Sequence, residues 1–219
     1  MGAFRELPHF IGESLSNLAI QLKYSDSNIL ILNGEINELQ ARFPDVYENI
    51  LSCRHNRDSR TPLEYAQDLV ASWLFEDYLI EELKDAGLLI THAGADKDRE
   101  ILSHRRVSAS SDSSVSYNGK NRLLEIMTDY TGFWNKNGLI HLRDSKYKKL
   151  EQSNSLFIGF STKDSSYVLY DFANKIDADY ISYHYPYGGK PAYAVKINKN
   201  DLHPFYVESV IADIKKCMQ

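Results

Sequence analysis

Leu123–Lys149, LLEIMTDYTGFWNKNGLIHLRDSKYKK, is the stretch on which the reading of the fold turns. It reads as two short apolar strands joined by a turn at Asn137-Gly138, the dipeptide that two-residue hairpins favour. A turn closed there sets Asp129 opposite Lys146, with Asp144 two residues further along the second strand. Side chains alternate faces along a strand, and facing residues of an antiparallel pair share a face. The register therefore predicts that Asp129, Asp144 and Lys146 project the same way. Two neighbouring carboxylates repel unless a cation lies between them. Mg²⁺ suits such a place, because it takes one or two carboxylates and fills its remaining positions with water and phosphate oxygens. The plainer alternative is a cross-strand salt bridge from Asp129 to Lys146 on a solvated face. Glu125 lies four residues before Asp129 and so on the same strand face. It is the rival acid: a second metal ligand, or a partner for Lys148 or Lys149.

Upstream, Thr61-Pro62-Leu63-Glu64 carries three helix-start signals. Thr61 can cap, Pro62 suits the first helical position, and Glu64 completes a capping box. The helix is expected to run to about Ala86 and to stop at Gly87. Ala66, Leu69, Val70, Trp73, Ile80 and Leu83 fall on one broad face, with Glu76 near its centre. An acid in an apolar stripe is costly unless it is paired or metal-bound. Glu76 is therefore a candidate functional residue.

The other segments are read more coarsely. Glu35–Ser52 looks helical, with a break or kink at Pro44. Asn28–Leu32 is a short apolar run of strand character, and Arg54–Arg60 is a polar linker. Leu88–His92, Ser155–Ser161, Tyr167–Asp171 and Ala192–Ile197 read as strands, and Asp201–Met218 as a terminal helix. Ala93–Asn121 is polar and Ser-rich, either a long hairpin or a loop. The expected class is α/β, a mixed central β-sheet flanked by helices with an N-terminal helical addition. Residues 1–60 form the extension, and 61–219 the core domain with its C-terminal helix.

A hydrophobic content of 43% is ample for a packed core, and no run of eighteen apolar residues suggests a membrane span. No secretory signal is visible after Met1, and the two cysteines, Cys53 and Cys217, form no C-x-x-C pair; both point to a reducing cytosol. A net charge of −5 argues against a histone-like binder of nucleic acid. Basic residues nevertheless cluster at Arg105-Arg106, Lys120/Arg122 and Lys146/Lys148/Lys149.

With Glu76 in WLFEDYLIEELKDAG, Asp129 in MTDY, and Asp144 and Lys146 in LRDSKYKKL, the span Thr61–Ser161 resembles a PD-(D/E)xK nuclease. This superfamily includes many type II restriction endonucleases, Holliday-junction resolvases and repair nucleases. In that pattern a Glu-bearing helix precedes a strand, a second strand carries an acid, often after Pro, and a third carries (D/E)-x-K. Thr128 stands where the Pro often is, and Asp144 is the Asp form of the closing motif. The resemblance implies a restriction endonuclease-like core and Mg²⁺-dependent phosphodiester hydrolysis. Asp129 and Asp144 would bind the metal, Lys146 would position or activate water, and Glu76 would support the site. It implies double-stranded DNA as substrate and a homodimer, since cutting both strands of a palindrome favours two-fold symmetry. Arg105, Arg106, Lys148, Lys149 and Lys190 are the candidate DNA contacts. A structure-selective repair or recombination nuclease and a non-enzymatic nucleic-acid-binding module are the rival readings.

The seven histidines show no metal-ligand spacing, and Gly188-Gly189-Lys190 lacks the rest of a phosphate-binding loop. The segment Tyr180–Pro191, YISYHYPYGGKP, reads as a strand with half-buried tyrosines and a turn, or as an aromatic surface for bases or a DNA groove.

Overall fold

The computed structural model describes residues 2–52, 60–92, 98–101 and 113–219. Most of the Arg54–Arg60 linker, together with Arg105 and Arg106, lies outside the described residues. The chain divides into two compact units, one of Met1–Glu81 with Asp98–Val107 and one of Glu82–Lys97 with Ser108–Gln219. The division falls inside a helix, whereas the composition of the chain suggests a boundary near residue 60.

The first unit is helical. Its elements are α1 (Ala3–Ile11), α2 (Leu15–Gln21), α3 (Asp26–Asn33), α4 (Ile36–Arg42), α5 (Pro44–Ser52) and most of α6 (Pro62–Asp85). Pro44 opens α5, where its missing N–H costs nothing. The run Asn28–Leu32 is helical and not a strand. Ser25 caps it by accepting from the Asn28 amide at 3.4 Å, and Gly34 closes it in the left-handed conformation. A five-residue apolar run does not distinguish the two states, so the caps decide. The start of α6 is as expected: the Glu64 amide donates to Thr61 Oγ1 at 3.2 Å and the Thr61 amide to a Glu64 oxygen at 2.8 Å. At the other end the Leu88 amide reaches back to the Leu83 carbonyl, with Gly87 at φ +85°.

The second unit is built on a mixed sheet of six strands: β1 (Leu89–His92), β2 (Ser113–Tyr117), β3 (Lys120–Asp129), β5 (Leu156–Ser161), β6 (Ser166–Asp171) and β9 (His203–Pro204), adjacent in that order. Among the described strands only β3 and β5 run parallel, Leu124 beside Leu156 through Asp129 beside Ser161. A parallel pair needs a crossover, and residues 130–155 supply it as α7 (Phe133–Asn137), β4 (Leu139–Arg143) and α8 (Asp144–Gln152). The strand β4 belongs to a second, three-stranded antiparallel sheet with β7 (Ala178–His184) and β8 (Lys190–Lys196), in the order β4-β8-β7.

The expected hairpin of β3 with β4 is therefore absent, and the two strands lie in different sheets. The type I′ hairpin turn that Asn-Gly favours needs φ > 0 at both central residues. Only Gly138 has it, at +63°, and it ends α7 as a left-handed cap. Asp144 and Lys146 lie on no strand. They open α8, whose Tyr147 and Leu150, spaced i and i+3, point into the core.

That core joins α7, α8 and the second sheet to one face of the first: Trp134, Ile140, Leu142, Tyr147, Leu150, Phe157, Val168 and Val195 form one buried cluster. Gly159 on β5 leaves room for the Trp134 ring, since a Cβ there would lie 2.7 Å from it. The terminal helix α9 (Val207–Cys217) starts six residues later than expected, buries Val210 and Ile214, and receives a hydrogen bond from Tyr167 on Asp213 at 2.6 Å. No helix among the described residues is long and apolar enough to cross a membrane.

Candidate active site

Pairing fixes which side chains of β3 meet the crossover. Glu125, Met127 and Asp129 lie beside Phe157, Gly159 and Ser161 of β5. They share a face because they alternate with Leu124, Ile126 and Thr128. Phe157 belongs to the cluster under α8, and Met127 packs against it. Glu125 therefore faces the crossover, and its side chain is only 8% exposed. Burying a lone carboxylate costs several kcal/mol, roughly, unless a charge or donors compensate it. Here Lys146, in the first turn of α8, brings its Nζ to 2.6 Å from Glu125 Oε1. The lysine side chain is 23% exposed, so one end of the pair remains open to solvent.

Asp129 does a different job. Its Oδ1 accepts from the Thr131 amide at 2.8 Å and the Thr131 hydroxyl at 2.6 Å, and its Oδ2 accepts from the Trp134 amide at 2.8 Å. The carboxylate thus satisfies the amides that lead into α7, as an acid near a helix N-terminus does. It is buried, and both of its oxygens are engaged. Asp144, at the start of α8, pairs with Lys148 at 2.9 Å in an i,i+4 geometry and complements the helix dipole. Lys149 is half-buried on the same helix, and Lys190 is exposed at the start of β8.

Of the site expected from the sequence, then, Lys146 meets an acid of β3, but the acid is Glu125 and not Asp129. The four-residue offset between them is roughly 13 Å along an extended strand. Among the described residues, no group of three His, Cys, Asp or Glu side chains is placed to hold a metal ion.

Glu76 belongs to the first unit. It accepts from Arg99 at 2.9 Å, and the same guanidinium reaches Asp77 at 2.5 Å. Tyr24 donates to Asp77 as well. Burial alone would lower the Arg99 pKa, but Asp77 and Glu76 hold it above its usual range. Burial, reinforced by Asp77, pushes the Tyr24 phenol up. The acid in the apolar stripe is thus paired. Its partner sits in the polar segment after β1, which no helical periodicity could reveal.

One further cluster is invisible in residue spacing. His141 on β4 and His184 at the end of β7 belong to strands separated by β8. Their rings meet, with His184 Nε2 2.8 Å from His141 Nδ1. Buried Ala192 and Ala194 on the intervening strand leave the space. Burial, and then His184, lower the His141 pKa. Tyr187 donates to the His141 carbonyl at 2.6 Å, and the Arg143 guanidinium lies 5.2 Å from the Tyr187 ring centre. The two histidines are 43 residues apart. The small residues at alternate positions of AYAVKI are the one local hint.

No family model matches this chain, and no curated protein is significantly similar to it.

Proposed function

We propose that the chain is a Mg²⁺-dependent endonuclease that hydrolyses phosphodiester bonds in double-stranded DNA, of the restriction type, acting as a homodimer in the cytosol. The observation that carries this reading is the ion pair between buried Glu125, on the third strand of the mixed sheet, and Lys146 of α8. In the nuclease pattern that the sequence resembles, a Glu-bearing helix precedes the first strand and the third strand bears acid-x-Lys. Here α6 with Glu76 precedes β1, and β3 is the third strand. It reads Glu125-Ile126-Met127, so Met stands where the pattern has Lys. The ammonium comes instead from α8, inside the crossover that makes β3 and β5 parallel. β2 as described carries no acid, which is a departure from the pattern.

Glu125 is chemically suited to Mg²⁺, a hard cation that binds one or two carboxylates and otherwise water and phosphate oxygens. Glu125 would hold the ion, whereas Asp144, in the first turn of α8, pairs with Lys148. When bound, the ion would polarise a phosphoryl oxygen and lower the pKa of a bound water. Asp129 supports the reading only indirectly, by fixing the turn from β3 into α7. Lys146 Nζ, held by Glu125 and partly open to solvent, would donate to a non-bridging phosphate oxygen and offset the charge that grows there. Burial of the pair keeps competing water from the carboxylate.

The test is incubation of supercoiled plasmid with the protein in Mg²⁺ and in EDTA. The reading expects nicked and linear products in Mg²⁺ alone, and discrete bands from a linear substrate. Cleavage confined to branched substrates would support a structure-selective nuclease. Cleavage in EDTA would remove the metal mechanism, and no cleavage under any condition would leave Glu125–Lys146 as a structural ion pair.

A further inference from the structure

We propose that the β7–β8 hairpin tip and the end of β4 form a contact surface for the phosphate backbone of duplex DNA. The proposal rests on the nuclease reading above and extends it from the cleavage site to a defined binding surface that adds Arg143 and the exposed tyrosines. The chain as a whole carries 30 acidic and 25 basic residues. Tyr180–Tyr193 nevertheless contains no carboxylate, and it holds five tyrosines and Lys190. Three of these tyrosines are held out to solvent: Tyr180 is 57% exposed, Tyr183 67% and Tyr185 79%. Large aromatic side chains are costly to leave in water, and a run of them marks a contact surface.

The tip is fixed rather than slack. Gly188 and Gly189 both have positive φ, and the Gly189 amide donates to the His184 carbonyl at 3.0 Å. Tyr183 lies over Gly189 so closely that a Cβ there would sit 2.5 Å from its ring. Below, His184 is buried and reaches His141 across Ala192 and Ala194, while Tyr187 is tied to the His141 carbonyl. Arg143 lies over the Tyr187 ring, exposed, on the residue that pairs with Ala192, two positions from Lys190.

Residues 183–190 are thus cationic and aromatic with no carboxylate among them, the nearest along β7 being the exposed Asp179. That chemistry suits a polyanion whose phosphates take Arg, Lys and Tyr hydroxyl donors. Arg143 also directly precedes Asp144 and lies three residues before Lys146. A backbone held by the tip would enter the proposed active site through the first turn of α8.

The experiment is fluorescence anisotropy of a labelled DNA duplex across a salt series in EDTA, with sedimentation velocity and plasmid cleavage in Mg²⁺ alongside. Arg143→Ala with Lys190→Ala should weaken binding at least about tenfold and flatten the log–log salt slope by about 1.8, since each phosphate left without its cation removes about 0.9. Tyr185→Ala should weaken binding by about fivefold or more without changing the slope, as removal of an uncharged group does. Lys163→Ala with Lys175→Ala removes equal charge elsewhere and should leave the slope nearly unchanged. Affinities within about twofold of the unmodified protein, or equal losses in both double variants, would overturn the proposal. So would tip variants that alter sedimentation but not DNA binding, since the surface would then be an interface between copies of this chain. If the unmodified protein binds and cleaves while the tip variants behave normally, only this inference fails. If it neither binds nor cleaves DNA, the nuclease reading fails with it.

Discussion

Asp129→Ala separates a structural acid from a metal-binding one. The substitution removes three hydrogen bonds at once: those from the Thr131 amide and hydroxyl to Oδ1 and from the Trp134 amide to Oδ2. The Trp134 amide is buried, so nothing replaces its acceptor. A buried donor left unsatisfied costs about 1–3 kcal/mol, and loss of a capping acid typically costs about 1 kcal/mol more. The expected loss is therefore about 3 kcal/mol, a large share of the stability of an ordinary domain. Urea titration followed by tryptophan fluorescence reads it, because Trp134 itself donates one of the three bonds. Asp129→Asn should fall between, since one oxygen remains but the amide nitrogen turns a donor toward a donor. An unchanged midpoint for Asp129→Ala, with full loss of Mg²⁺-dependent cleavage, would refute the capping role and restore Asp129 to the metal site.

Three further perturbations test the packing and the charges. Gly159→Ala places a methyl 2.7 Å from the Trp134 ring; overpacking of this kind costs about 1–3 kcal/mol and should lower the unfolding temperature of the second unit in calorimetry. Arg99→Met removes the cation shared by the half-buried acids Glu76 and Asp77 and should destabilise the first unit by about 2 kcal/mol, with Glu76→Gln/Asp77→Asn partly restoring it; an additive result would argue against the shared site. The lowered His141 pKa means that unfolded chains bind more protons than folded ones as pH falls through the ordinary histidine range. Stability should accordingly be full above that range and decline below it until the depressed folded value is passed, and His141→Phe should flatten the decline seen in denaturant titrations at stepped pH.

Local signals were legible where the chain obeyed them alone. The Thr61–Glu64 box, the Gly87 stop and the strands β1, β5, β6 and β8 needed nothing beyond their own residues. The hairpin failed because Asn137-Gly138 serves two structures, a turn and a helix end. What chose between them was non-local: β3 finds a parallel partner in β5, which forces a crossover through residues 130–155. Once α8 exists, Asp144 and Lys146 follow helical and not strand geometry, and the lysine turns toward Glu125. The meeting of acid and ammonium was readable in kind, but the identity of the acid depended on a topology no window of sequence contains. Arg99 and His184 were missed for the same reason, since each finds its partner across more than twenty residues.

The most direct measurement is single-turnover cleavage of supercoiled plasmid in Mg²⁺ by the unmodified protein, Lys146→Ala and Glu125→Gln, each first shown to be folded by circular dichroism. Each substitution should slow cleavage by about 10²–10⁴-fold, the range typical of a lost acid–base or charge-stabilising group, with duplex binding retained. Folded Lys146→Ala protein that cleaves as fast as the unmodified chain would contradict the proposed role of Lys146.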